Sequence, residues 1–177
     1  MSIQIQGRHD LSRPAGSHGL RQARPPPRPV RLYVSDHCNG LLLIHDCVVN
    51  PSTGQFARLP KCPAAPTGSF YTNNYLVFDP VVSPYYEVFA IPRVRYRYSF
   101  VKSNQPVIEN SEWPPSRCPL HIFSSRMGRW VEKSFDREGE PAGIVAGMRA
   151  DSRPRKRYAV YWQGALYVHC ENNFVMR

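Results

Sequence analysis

Apolar positions along the chain fall into short runs, each cut off within a few residues by Gly, Pro, Asn or Asp. "GLLLIHD" and "CVVN" are compact apolar stretches, and "QFARLP" follows across a polar turn. Further along stand "NYLVFD", "YYEVFAIP", "LHIFSS", "RWVEKSF", "YAVYWQGALYVHC" and a final "NFVMR". Alternation bounded by turn formers predicts β-strands. Helical spacing is scarce, and "AGIVAGMRA", the one segment near it, reads as a loop or a final strand. "SNQPVIENSEWPPSRCP" reads as a polar, proline-bearing connection. Residues 1–31 differ in kind, being rich in Arg, Pro, Gly, Ser and His, with Leu11 and Leu20 isolated. So little apolar surface does not offset the entropy of ordering. The expectation is a disordered arm over 1–31, closing on a polyproline II stretch in "RPPPRPVR", and one all-β domain over 32–177.

The strands repeat a plan. "NPSTGQFARLP" and "SSRMGRWVEKSF" both run from a polar approach through a Gly (Gly54, Gly128) to an aromatic (Phe56, Trp130) and then alternation. "NGLLLI" and "QGALYV" place Gly40 and Gly164 alike before an apolar strand. Glycine supplies the positive-φ residue of a hairpin turn. In the first hairpin Asn50 and Pro51 end one strand, Ser52 to Gly54 turn the chain, and Phe56 and Leu59 face the core. Repeated Gly-aromatic hairpins are the sequence mark of propeller blades. The stretch holds some two to three antiparallel blades, fewer than the roughly 4–8 of a closed propeller.

Eighteen prolines, ten tyrosines and eight phenylalanines in 177 residues reinforce strands and turns over helices. The net charge of +10 brings anionic partners into view. Six arginines against Asp10 put half of that excess into the first 31 residues. "RPRKR" at 153–157 adds a second basic run. In "PRVRYRYSFVK", Arg93, Arg95 and Arg97 share one side of an extended chain and Tyr96 and Tyr98 the other. Basic residues beside aromatics can hold single-stranded nucleic acid, and a solvated strand face is the plainer reading. Cys38, Cys47, Cys62, Cys118 and Cys170 are odd in number and lack paired spacing, which argues against zinc ribbons and thioredoxin-type sites. With no signal-like N-terminus and no membrane-length apolar run, an intracellular, reduced, soluble protein is expected.

"CNGLLLIHDCVVNPSTGQFARLP" resembles the start of the F-box-associated region of plant F-box proteins, especially those of the large grass families. The recurring signature of that region is met by Cys38, Asn39, Gly40, Leu41, Leu42, Asn50, Pro51, Thr53, Leu59 and Pro60. "YLVFDPVVSPYYEVFAIP", "LHIFSSRMGRWVEKSF" and "YAVYWQGALYVHC" look like the following elements in the same order, so the resemblance spans about residues 33 to 177. It implies a kelch-like β-propeller, or a related all-β module, that receives the substrate of an SCF-type ubiquitin ligase. An F-box normally docks such a region onto the ligase adaptor, and residues 1–30 carry arginine-proline sequence in its place. The expectation is therefore an open, partial propeller of a truncated receptor. It would bind a protein target and reach the adaptor only where an F-box is supplied elsewhere.

No catalytic pattern competes with that reading. G-x-S-x-G, H-E-x-x-H, P-loop and Rossmann glycine motifs are absent. His9 and His18 fall in the arm, while His37, His45 and His169 lie beside cysteines. In strands, His45 and Cys47 would share a face and His169 and Cys170 would oppose each other, with no carboxylate evidently placed to orient either histidine. Glu132, Asp136, Glu138 and Glu140 read as rim or turn residues, and Asp79 before Pro80 as a turn former. No enzyme, metal or cofactor is expected. Trp130 and Trp162 read as core, which leaves Trp113 in "SEWPPS" as the candidate exposed contact for a protein target.

Overall fold

The computed structural model describes residues 2–3, 33–63, 70–94, 106–150, 158–170 and 174–177. The rest of the arm expected over 1–31, "RPRKR", and the Arg95, Tyr96, Arg97 and Tyr98 of the basic-aromatic stretch lie outside the described residues.

The described chain is mostly β, arranged as successive meanders. The first sheet joins β2 (Val34–Cys38), β3 (Leu41–Ile44), β4 (Cys47–Asn50) and β5 (Gln55–Arg58) in sequence order. The middle sheet runs β6 (Phe70–Val77), β7 (Glu87–Val94), β9 (Arg117–Ser124) and β10 (Arg129–Asp136). The third joins β12 (Ala159–Trp162), β13 (Ala165–His169) and β14 (Val175–Met176), with β1 (Ser2–Ile3) parallel to β14. Between β7 and β9 lie α1 (Pro106–Glu109) and β8 (Glu112–Trp113). After β10 come β11 (Gly143–Ile144), which pairs with β8, and α2 (Val145–Ala150).

Turn chemistry accounts for the meanders. Asn39 and Gly40 (φ 43° and 87°) close β2 onto β3, and Gln163 and Gly164 (φ 48° and 77°) close β12 onto β13. Positive φ at both central residues is the turn whose twist suits a two-residue hairpin. Gly54 and Gly128 also take positive φ, as the repeated plan requires. Asn50 and Gln55 pair across the loop 51–54, and Asn50 Oδ1 accepts the Ser52 N–H at 3.0 Å.

The middle sheet is covered on both faces, because alternation along its strands sends apolar side chains both ways. Leu76, Val88, Phe123 and Trp130 form one cross-strand row. This row packs with Cys38, Leu41, Leu43, Val48 and Leu59 of the first sheet and its flank. On the other face Tyr75 and Ile91 meet Val168, Cys170, Phe174 and Met176 of the third sheet and its flank. Leu43, Val48 and Val88 have no exposed surface, and each such burial stabilises by about 1.5–3 kcal/mol.

Four expectations change. "AGIVAGMRA" holds β11 and α2, because Val145 and Met148, three apart, both turn into the core cluster with Trp113. "SNQPVIENSEWPPSRCP" holds α1 and β8. Phe56 does not face the main core. Val48 pairs with Ala57 and Val49 with Phe56, so the register turns Phe56 to the opposite side, half-buried, while Leu59 takes the core place. His45 is a turn residue at φ 55°, so it shares no strand face with Cys47.

Candidate interaction surface

The "CNG" signature residues clasp one sheet to the next. The Cys38 thiol donates to the Phe78 carbonyl at 3.2 Å, and the Phe78 N–H donates back to Cys38 Sγ at 3.4 Å. Asn39 Nδ2 donates to the same carbonyl at 2.7 Å. Two residues upstream, the Asp36 carboxylate accepts the Leu76 N–H at 2.7 Å. Side chains of β2 thus serve the backbone of β6 where no sheet ladder joins them. Burial raises the pKa of Asp36, with the accepted N–H groups of Leu76 and His37 opposing it, and burial likewise raises that of Cys38. Leu59 and Pro60 act similarly: Leu59 is buried, and the Pro60 carbonyl accepts the Trp130 indole N–H at 2.8 Å.

These contacts fix the end of the middle sheet that carries the loop from β6 to β7. There Asp79 organises a tight turn. Its Oδ1 accepts the Val81 N–H at 3.0 Å, and its carbonyl accepts the N–H groups of Val82 at 3.1 Å and Ser83 at 2.8 Å. The turn holds Val81 and Val82 outward, 94% and 78% exposed. The β9–β10 turn is stitched to this loop at Tyr86, whose N–H donates to Ser125 Oγ at 2.8 Å and whose carbonyl accepts the Ser125 N–H at 3.0 Å. Arg126 then lies 5.7 Å over the ring of half-exposed Tyr85, and Met127 is exposed beside it in sequence. Val81, Val82, Tyr85 and Met127 are therefore apolar groups held in water at one end of the sheet by a hydrogen-bonded frame.

Trp113 is not part of this surface. It is 4% exposed, stacked on Phe70 with centroids 5.2 Å apart, and belongs to the core between the middle and third sheets. Prolines 114 and 115 suggested a loop, but Arg137 pins this stretch inward. Its Nη1 donates to the Pro114 carbonyl at 2.7 Å and its Nη2 to Glu112 at 2.8 Å. Phe70 starts β6 and the valine turn follows its end, so about 23 Å of strand separates Trp113 from that turn. Trp162, expected in the core, is 57% exposed, and Trp130 is half-buried.

Arg93 also departs from expectation. It is 2% exposed, and its Nη1 donates to the His169 carbonyl at 2.9 Å and to Cys170 Sγ at 3.4 Å. Its direction on β7 sends it into the third sheet, so it joins no solvated basic face. Glu132 lies across from His121 at 3.5 Å, an ordinary cross-strand pair. Among the described residues no group of three His, Cys, Asp or Glu could hold a metal, and no helix is long and apolar enough to cross a membrane. A polar recess of about 140 Å³ at the opposite end is lined by Ser35, His45 and residues 72–75. No carboxylate lines it.

The exposed valines carry a local sequence signal. "DPVVSP" sets two adjacent β-branched residues between prolines in a turn, where neighbours cannot both alternate into a core. No family model, no curated protein and no solved structure matches this chain.

Proposed function

We propose that this protein is a protein-interaction module whose sheets act as the blades of an open, propeller-like scaffold, and that it binds its target through the loop end bearing Val81, Val82, Tyr85 and Met127. The observation that carries the reading is the Asp79 turn, which keeps two valines in water at 94% and 78% exposure. An apolar group held rigidly in solvent gains by contact with a partner and loses little entropy on binding. The two antiparallel four-stranded sheets and the β12–β13–β14 meander after them support the propeller-like form. Together with the F-box-associated resemblance, they favour a substrate-receptor role of the ubiquitin-ligase type, with no bond chemistry of its own. Docking to the adaptor would require an F-box that these 177 residues do not carry. The polyanion reading is weakened because Arg93 is buried.

The test compares proteins cross-linked to the full chain with those cross-linked to a V81D/V82D variant. A defined set lost from the variant, at unchanged folding, is the expected result. An identical set on both would overturn the loop assignment, and strong direct adaptor binding by the 177-residue chain would overturn the dependence on an external F-box.

A further inference from the structure

Strand β12 is apolar on both faces. Ala159 and Tyr161 pack against the two cores, while Tyr158, Val160 and Trp162 are 70%, 57% and 57% exposed. Val160 pairs with Tyr167 of β13, which puts Tyr167 on the outward face. Its ring centroid lies 6.3 Å from that of Trp162, and Arg177 sits 5.8 Å over it from the other side of the strand order. The inward face of this sheet supplies Val168, Cys170 and Met176 to the core. A sheet with one face in water alternates apolar with polar residues, whereas apolar residues on both faces are the pattern of a sheet covered twice. The middle sheet has that pattern and is covered twice.

We propose that a second copy of this chain covers the outward face, the two third sheets packing about a two-fold axis near Val160. Three observations select this occupant. The first is area: Tyr158, Val160 and Trp162 at these exposures, with partly exposed Tyr167, leave on the order of 500 Å² per copy, and pairing two such faces buries up to about 1,000 Å², the threshold of a specific interface. The second is charge: among the described residues, the centre of the face is uncharged and aromatic, with Arg177 at its rim. Such a surface needs no oppositely charged partner and suits a copy of itself. The third is geometry. Tyr158, Val160 and Trp162 lie in line along one strand, so a two-fold axis through the middle residue sets Trp162 against the partner's Tyr158, twice over, as an isologous contact requires. Face-to-face sheet packing at ordinary spacing accommodates these rings.

Sedimentation velocity on the full chain, across a dilution series, tests this directly. A concentration-dependent dimer is expected. Trp162→Ser should weaken it at least 30-fold, roughly the loss on truncating a central aromatic anchor. Hydrogen exchange on the wild-type chain gives a reading that needs no variant: amides of 158–169 should gain protection as concentration rises. A monomer at all concentrations would overturn the proposal, as would a dimer indifferent to Trp162→Ser. Protection of 158–169 that is independent of concentration would also overturn it, since the cover would then be the chain's own. Acquisition of protection only with an added foreign protein would overturn it in favour of that protein.

Discussion

The indole N–H of Trp130, at the start of β10, donates to the carbonyl of Pro60 at 2.8 Å, joining residues seventy positions apart. The ring also meets Phe123 edge-on, with centroids 5.7 Å apart. One side chain thus ties the tail of the first sheet to the outer strand of the middle one. Trp130→Phe keeps most of the packing and loses the hydrogen bond, so a loss of about 1 kcal/mol is expected in urea unfolding. Trp130→Ala also removes the aromatic pair and should cost at least about 1 kcal/mol more.

Asn39 has two duties, a positive-φ turn position and the bond to Phe78. Asn39→Ala fails at both and should destabilise by about 2 kcal/mol. Gly40→Ala meets no atom within 4 Å, so its cost is backbone strain alone, about 1–2 kcal/mol. Thermal melts of the two variants should therefore both fall, while Asn39→Gly, which keeps the turn and loses only the amide, should fall less than Asn39→Ala.

Asp36 gives a pH signature. Burial holds its pKa above the ordinary 3.8, so the folded chain keeps this proton to higher pH than the unfolded chain. The stability from this group is present below 3.8 and is lost as pH rises through the raised folded-state value. Asp36→Asn retains an acceptor for the Leu76 N–H and cannot ionise. The expected variant is at least as stable as wild type at neutral pH, with a flatter dependence just above 3.8. Asp36→Ala leaves that N–H unmet and should lose about 1–3 kcal/mol. Denaturant midpoints measured across the acid range check both.

Thiol alkylation reads the core. All five cysteines are free thiols, and burial pushes the Cys118 pKa up to about 11. At pH 8 its thiolate fraction falls roughly 100-fold relative to an ordinary thiol, before any effect of access. Mass spectrometry of the iodoacetamide-treated native protein should find Cys118 and Cys38 unmodified, and denaturant should expose both. Early labelling of Cys118 would contradict its buried place on β9 opposite Phe135.

The strands were legible wherever alternation met a glycine turn, as at Asn39–Gly40 and Gln163–Gly164, because both signals are local. What escaped was tertiary. Trp113 looked exposed because two prolines follow it, yet Phe70, over forty residues earlier, stacks on it. Arg93 looked solvated because its neighbours in sequence are basic, yet the acceptor it finds is the backbone of residue 169. Phe56 and Leu59 stand three apart, so alternation itself sends them to opposite faces, and Leu59 shares with Ala57 the side of Val48. The loop surface departs from the ordinary burial of apolar residues because the Asp79 turn holds Val81 and Val82 out.

The first sheet is built from one unbroken run of sequence, β2 to β5, and meets the next through side chains of a few fixed positions such as Cys38, Asn39 and Trp130. Recombination within the loop after β5 would therefore add or delete that sheet without disturbing the register of any other. A gene of this design can gain or lose that meander as a unit, and the loop end bearing Val81 and Val82 can vary while the joints at Cys38 and Asn39 stay constant.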